Sequence, residues 1–222
     1  MKIAIFASTL LASLGLYVAQ PAAVGLTPQQ EAILNTMELT AMNDGIGNRV
    51  PVLRITGVNV QIVNGTGSTD CVNSTGNLII GYGETSPAGG FIFERTGSHN
   101  LVMGTNHSYF NGAYGSIVTG NWNTVAAPNS SILSSEFSQI DGPFSTVSGA
   151  DNGIVLAPGV FCNVLGGEAN VAIAHHSTIT GGLGNWINQN GPWGTVSGGW
   201  IRTVWTPRDW AAGSLYEFEP DQ

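Results

Sequence analysis

The sequence predicts an all-β fold, a parallel β-solenoid of short repeats with one short helix before it. Three observations carry that prediction. A five-residue unit recurs about fourteen times between Asn100 and Thr206: Asn or Ser, any residue, Val or Ile, any residue, then Gly or another small residue. Successive copies start about eight residues apart, the short fixed period of a repeat architecture. The chain of 222 residues holds Gly 31 and only 9% charged residues, too few charges for an ordinary globular surface and suited to one built of Ser, Thr and Asn.

Residues 1–23 read as a secretory signal peptide, with one Lys, a short apolar stretch and a small-residue site between Ala19 and Ala23. The stretch is short for a stable membrane span, and no later segment could cross a bilayer. The mature chain is therefore expected to be secreted or on the cell surface. Residues 24–48 read as a helix and a turn. Thr27 is the expected N-cap, Pro28 the first helical residue and Gln30 the capping-box partner, and Ile33, Leu34, Met37 and Met42 form a narrow apolar stripe. Residues 49–99 read as longer strands and a Gly/Ser/Thr/Asn loop. Residues 77–81 then repeat the unit once, before an insertion over 82–96 that contains the apolar run 91–93.

The array proper covers 100–206. Clear copies occupy 100–104, 116–120, 138–142, 145–149, 162–166, 177–181 and 194–198, and weaker ones start at Ser108, Asn123, Ser130, Gly153, Asn170, Asn185 and Arg202. Alternation along a strand puts the third residue of each unit on one face, so Val118, Ile140, Val147, Val164, Ile179 and Val196 are the expected core. Such a strand is too short to be stable alone, because ordering each residue costs about 1–2 kcal/mol of backbone entropy. Two units per turn of a flattened coil solve the problem, with strands stacking about 4.8 Å apart in parallel. The closing glycines, Gly120, Gly142, Gly149, Gly166, Gly181 and Gly198, supply the corners, and the leading Asn or Ser bonds the turn backbone. Residues 207–222 are rich in aromatics and read as a C-terminal cap.

These units resemble the head repeats of trimeric autotransporter adhesins of the YadA-like kind, most clearly over 97–104 and 144–149. The likeness covers about half of the chain. It implies a left-handed β-roll, three chains wrapped side by side, attachment to extracellular matrix or other surfaces, and no catalytic centre. No coiled-coil stalk or barrel anchor is read in the sequence, so it implies an exported head-like fibre rather than self-transport. The outward residues Leu101, Met103, Ile117, Leu133, Ile154, Leu156, Leu165, Val171, Ile173 and Trp186 independently favour partner chains, being too many for the exposed face of a soluble monomer.

A net charge of -8 argues against nucleic acid as a partner. No nucleophile elbow, phosphate loop or metal motif is present, and no cofactor is expected. His175 and His176 are adjacent, so on a strand they point opposite ways. Among the acids of the array, Glu136 and Asp151 are one coil apart and form the one pairing relevant to polysaccharide cleavage. Trp186, Trp193, Trp200 and Trp205 are candidate glycan-binding residues, since exposed indoles stack on sugar rings. Buried, they would close the solenoid end instead. Cys162 takes an inward place normally held by Ser or Asn, and Cys71 is the other cysteine. Two readings result. The first is an exported, non-enzymatic homotrimeric fibre element, structural or adhesive, with filament assembly through its open ends. The second is a secreted carbohydrate-binding solenoid with polysaccharide-degrading activity as an extension.

Overall fold

The computed structural model describes residues 25–84 and 93–217. The expected signal peptide over 1–23, residues 85–92 of the insertion and the last five residues of the expected cap lie outside the described residues. The chain divides into two units that meet at residues 60 and 61.

In the first unit, α1 (Pro28–Leu34) starts as its sequence dictates. The Thr27 side chain accepts from the Gln30 backbone N–H at 3.3 Å, while the Gln30 side chain accepts from the Thr27 N–H at 2.8 Å. The expected apolar stripe does not continue along this helix. The helix stops at Leu34, Thr36 turns its hydroxyl back onto the Ile33 carbonyl, and Met37 and Met42 fall on β1 (Met37–Asn43). β1 pairs antiparallel with β2 (Arg49–Ile55) across the Asn43-to-Asn48 turn, with Glu38 opposite Arg54 and an ion pair of 3.4 Å between them. Seven consecutive cross-strand partners outweigh the weak helical tendency of a short apolar run. The longer strands expected after Leu53 are also cut short, because β2 ends at Ile55.

The second unit is a parallel β-solenoid. One sheet, sheet I, stacks β3 (Leu78–Ile80), β4 (Leu101–Thr105), β6 (Ile117–Asn121), β8 (Ser131–Glu136), β10 (Thr146–Ser148), β12 (Asn163–Leu165), β14 (Thr178–Ile179), β16 (Thr195–Val196) and β18 (Trp210–Ala212), all parallel. β19 (Leu215–Glu217) then adds antiparallel to β18. Sheet II stacks β5 (Ser108–Tyr109), β7 (Thr124–Val125), β9 (Gln139–Ile140), β11 (Ile154–Val155), β13 (Val171–Ala172), β15 (Trp186–Ile187) and β17 (Thr203–Val204), again parallel. One strand of each sheet makes one coil. From β4 onward coils run from 14 residues, Ile117 to Ser131, to 17 residues, Thr146 to Asn163.

The core is one column from each sheet. Val118, Ile132, Val147, Val164, Ile179 and Val196 of sheet I face Val125, Ile140, Val155, Ala172, Ile187 and Val204 of sheet II, and all are buried. Each Val or Ile removed from water contributes about 1.5–3 kcal/mol, which no coil could gather without its neighbours. The last coil keeps the pattern past the expected end of the array, with Ala211 of β18 in register with Val196. One expected repeat is out of phase. Ser108 lies opposite Thr124, so that unit begins at His107 and its inward residue is Tyr109.

Candidate binding surface on the two corners of the coil

Each coil turns twice. The first corner follows the sheet I strand and the second follows the sheet II strand, and the buried residue that opens each following strand ties the corner before it. After the second corner that residue is mostly Ser. Ser130 Oγ bonds the Pro128 carbonyl at 3.1 Å and accepts the Ser145 N–H at 3.4 Å, and Ser145 Oγ bonds the Pro143 carbonyl and accepts the Cys162 N–H, both at 3.1 Å. Cys162 itself points its thiol at the Ala174 carbonyl, 2.9 Å away, and is fully buried, whereas Cys71 is exposed.

After the first corner the residue is an amide in three coils, Asn123, Asn170 and Asn185. Asn170 Nδ2 donates to the carbonyls of Gly166 at 3.2 Å and Gly182 at 3.0 Å, while its Oδ1 accepts the Asn185 N–H at 3.0 Å. Asn123 and Asn185 repeat this arrangement. His107 imitates it. Its Nε2 is 3.0 Å from the Met103 carbonyl and its Nδ1 accepts the Asn123 N–H at 3.3 Å, which requires the neutral ring. Burial pushes the His107 imidazole below its ordinary value, the largest influence on it. Burial likewise raises the Tyr109 phenol beside it.

The closing glycines serve two purposes. At Gly120, φ is +111° and a Cβ would lie 2.0 Å from the Ser135 carbonyl oxygen, so both conformation and space demand glycine. At Gly142 the tight corner, not φ, makes the demand, since a Cβ there would meet the Gly159 carbonyl oxygen at 1.8 Å.

Outside, the first corner carries polar and acidic groups. Glu136, Asp151, Glu168, Leu183 and Trp200 form a single column joined by parallel bridges. The expected Glu136–Asp151 pairing is therefore real as a stacking of neighbouring coils, and Glu168 extends it. All three acids are exposed, and Asn121 Nδ2 donates to Glu136 Oε1 at 3.1 Å. Glu136 and Asp151 edge an open groove of about 670 Å³ between Met103 and Asp151, lined by glycines, serines and Asn121. Such a rim offers hydrogen-bond acceptors to a hydroxyl-rich ligand.

The second corner carries rings. Phe144, Phe161, His176 and Trp193 occupy one position in successive coils, with centroid separations of 5.0, 5.1 and 6.0 Å and interplanar angles of 16°, 11° and 1°. Arg208 in the next coil lies 5.9 Å over the Trp193 ring. Phe144, Phe161 and Trp193 are about half exposed, at 50%, 48% and 55%. All five sit at φ between +56° and +63°, the region occupied in the same column by Gly115 and Asn129.

The four candidate tryptophans are thus placed on three sides. Trp186 and Trp205 share the outer face of sheet II on neighbouring coils, Trp200 is on the first corner, and Trp193 is in the ring column with His176 on one face and Arg208 on the other. Trp193 therefore presents an edge, not a face, to a sugar. His175 is exposed and His176 is committed to the stack. The outward apolar residues also divide: Leu101, Met103, Ile117, Leu133 and Leu165 lie on sheet I, and Ile154, Leu156, Val171, Ile173 and Trp186 on or beside sheet II. Among the described residues no group of three or more His, Cys, Asp or Glu is placed to hold a metal, and no helix is long and apolar enough to cross a membrane. No protein-family model, curated protein or solved structure matches the chain.

Proposed function

We propose that this protein is an exported, non-enzymatic β-solenoid that works as a parallel homotrimer, a structural or adhesive element of a cell surface or extracellular fibre, as its resemblance to YadA-like head repeats implies. The observation that carries the reading is the exposed ring column of the second corner beside the apolar outer face of sheet II. The apolar stretch of Ile154, Val171 and Trp186 beside these rings is the kind of surface that associates. The acids and glycines of the first corner then form the outward rim that meets matrix or glycan. Light scattering on the signal-cleaved chain at several concentrations tests the assembly, and a concentration-independent trimer is expected. Retention on matrix-coated surfaces tests adhesion. Binding should survive Glu136→Gln and Asp151→Asn singly and fail once the trimer is dissociated.

A second reading, a secreted carbohydrate-binding solenoid, is favoured by the exposure of Trp200 at 66% and of Trp205 at 57%. Glycan-array binding that is lost in Trp200→Ala or Trp205→Ala, on a protein that is monomeric, would select it over the first.

A further inference from the structure

We infer that the second corner, over the coils that carry Phe144, Phe161, His176 and Trp193, is the seam along which two further copies of this chain pack in parallel with like coils at one height. This rests on the trimeric reading and goes further by naming the interface and its geometry.

Backbone strain is the first argument. A side chain in the left-handed region costs about 1–2 kcal/mol relative to its usual conformations, and glycine or asparagine would avoid most of that. Gly115 and Asn129 show that the column accepts them. A stacked ring pair contributes about 0.5–1.5 kcal/mol, so stacking within one chain leaves part of the strain unrecovered. Strained side chains that persist point to a task beyond the fold. The first corner has positive φ at the equivalent position too, and a shorter ring stack of Phe93, Trp122 and Phe137, but its column then continues Asn152, Ala169, Gly184 and Ile201, so its rings stop there.

Charge is the second argument, and it decides the partner. At a net charge of -8, copies of this chain repel one another unless they meet where acids are missing. Between Gly153 and Arg208 the single acid is Glu168, and it stands on the first corner. Both flanks of the second corner are therefore uncharged over the coils of Phe161, His176 and Trp193, and Asp141 marks the charged edge of this stretch beside Phe144. The sheet II flank is apolar, with Ile154, Leu156, Val171 and Ile173, and the sheet I flank presents Thr146, Asn163, Thr178 and Thr195 in register. The third argument is shape. Two of the coils are 17 residues long, and both carry their extra length before the second corner, ahead of Phe161 and of Trp193. A corner with this irregular profile matches another at every height only if that corner is the same sequence in the same direction.

The test compares matched substitutions by light scattering across a dilution series of the signal-cleaved chain. Phe161→Asn combined with Trp193→Asn keeps the fold, because Asn129 already holds this backbone position, and circular dichroism confirms folding. Phe137→Asn on the first corner is the control, equally exposed and at a similar φ. The double variant should raise the concentration at which the trimer dissociates by on the order of tenfold or more, the effect of removing anchoring aromatics from an interface. The control should leave it unchanged. A wild-type trimer that ignores the double variant, or that dissociates with Phe137→Asn, overturns the seam while the trimeric reading stands. A wild-type chain that is monomeric or dimeric throughout removes both.

Discussion

The two corners of the coil differ inside as well as outside, and the difference shows how one repeat can serve two ends. At the first corner a buried amide spans two coils, binding the carbonyl four residues back and the carbonyl of the next coil. Glycine is required there by its positive φ and by the next coil: a Cβ at Gly167 would lie 2.2 Å from the Gly182 carbonyl oxygen and one at Gly182 would lie 2.2 Å from that of Gly199, with the amide nitrogens of Asn170 and Asn185 next nearest at 2.5 and 2.6 Å. At Ser138 and Gly153 both the amide and the glycine are absent, and Ser135 and Ala150 stand in the glycine's place, whereas Gly104 and Gly199 keep the glycine ahead of His107 and Arg202. At the second corner a hydroxyl does the tying, leaving the exposed position free for large rings. The first corner is a hydrogen-bonded brace; the second is a platform.

The sharpest way to break this comparison is to damage what both corners share and then what each has alone. Ile140→Ala opens a cavity in the common core and should lower unfolding free energy by about 2–5 kcal/mol, read by urea denaturation. Asn170→Ala comes next. It leaves two buried carbonyls and the Asn185 N–H without their side-chain partner, at about 3 kcal/mol, whereas Ser145→Ala at the other corner should cost about 1–2 kcal/mol. If the serine variant proves the more damaging, the distinction between brace and platform is wrong.

Acid should act on the first corner. His107 is held neutral by burial and accepts a backbone N–H, so its proton affinity is lower folded than unfolded. The stability it contributes is fully present above its unfolded value of 6.5 and is lost as pH falls below that toward the folded value. Melting temperature should decline over this range, and His107→Asn, which restores the amide used at Asn123, should flatten the decline. The smallest effect is expected outside: Glu168→Gln should change stability by within about 0.5 kcal/mol, because the group is exposed on a rim.

Much of the solenoid was legible because inward Val and Ile recur at a fixed offset from Asn or Ser. Asn170 and Ser145 could be assigned to turns without coordinates. Their division of labour could not, although the spacing of Gly167 to Asn170, Gly182 to Asn185 and Gly120 to Asn123 was there to be read. The repeat beginning at His107 was misphased because histidine was not counted among residues able to act as an asparagine. Its two ring nitrogens do so at nearly the same reach. The helix was extended through Met37 because a short apolar run fits either period, and the antiparallel pairing that decides the matter depends on residues a dozen positions away. The tryptophans were grouped by proximity in sequence, whereas the coil sends positions a few residues apart to different sides. For the same reason the ring column is not legible in the sequence: Phe144, Phe161, His176 and Trp193 are of mixed type, 15 to 17 apart, and each stands one residue before a repeat unit.

Sheet I also ends in an uneven way. β18 carries the parallel ladder to its last rung, and β19 then folds back and takes the next place in the opposite direction. A parallel stack has no inherent length, since every rung offers the next an identical docking edge. A reversed strand interrupts that repetition, because a further coil running with the ladder would have to pair antiparallel with it, unlike every rung before. This end of sheet I therefore does not offer a second copy the same parallel edge that each coil offers the next.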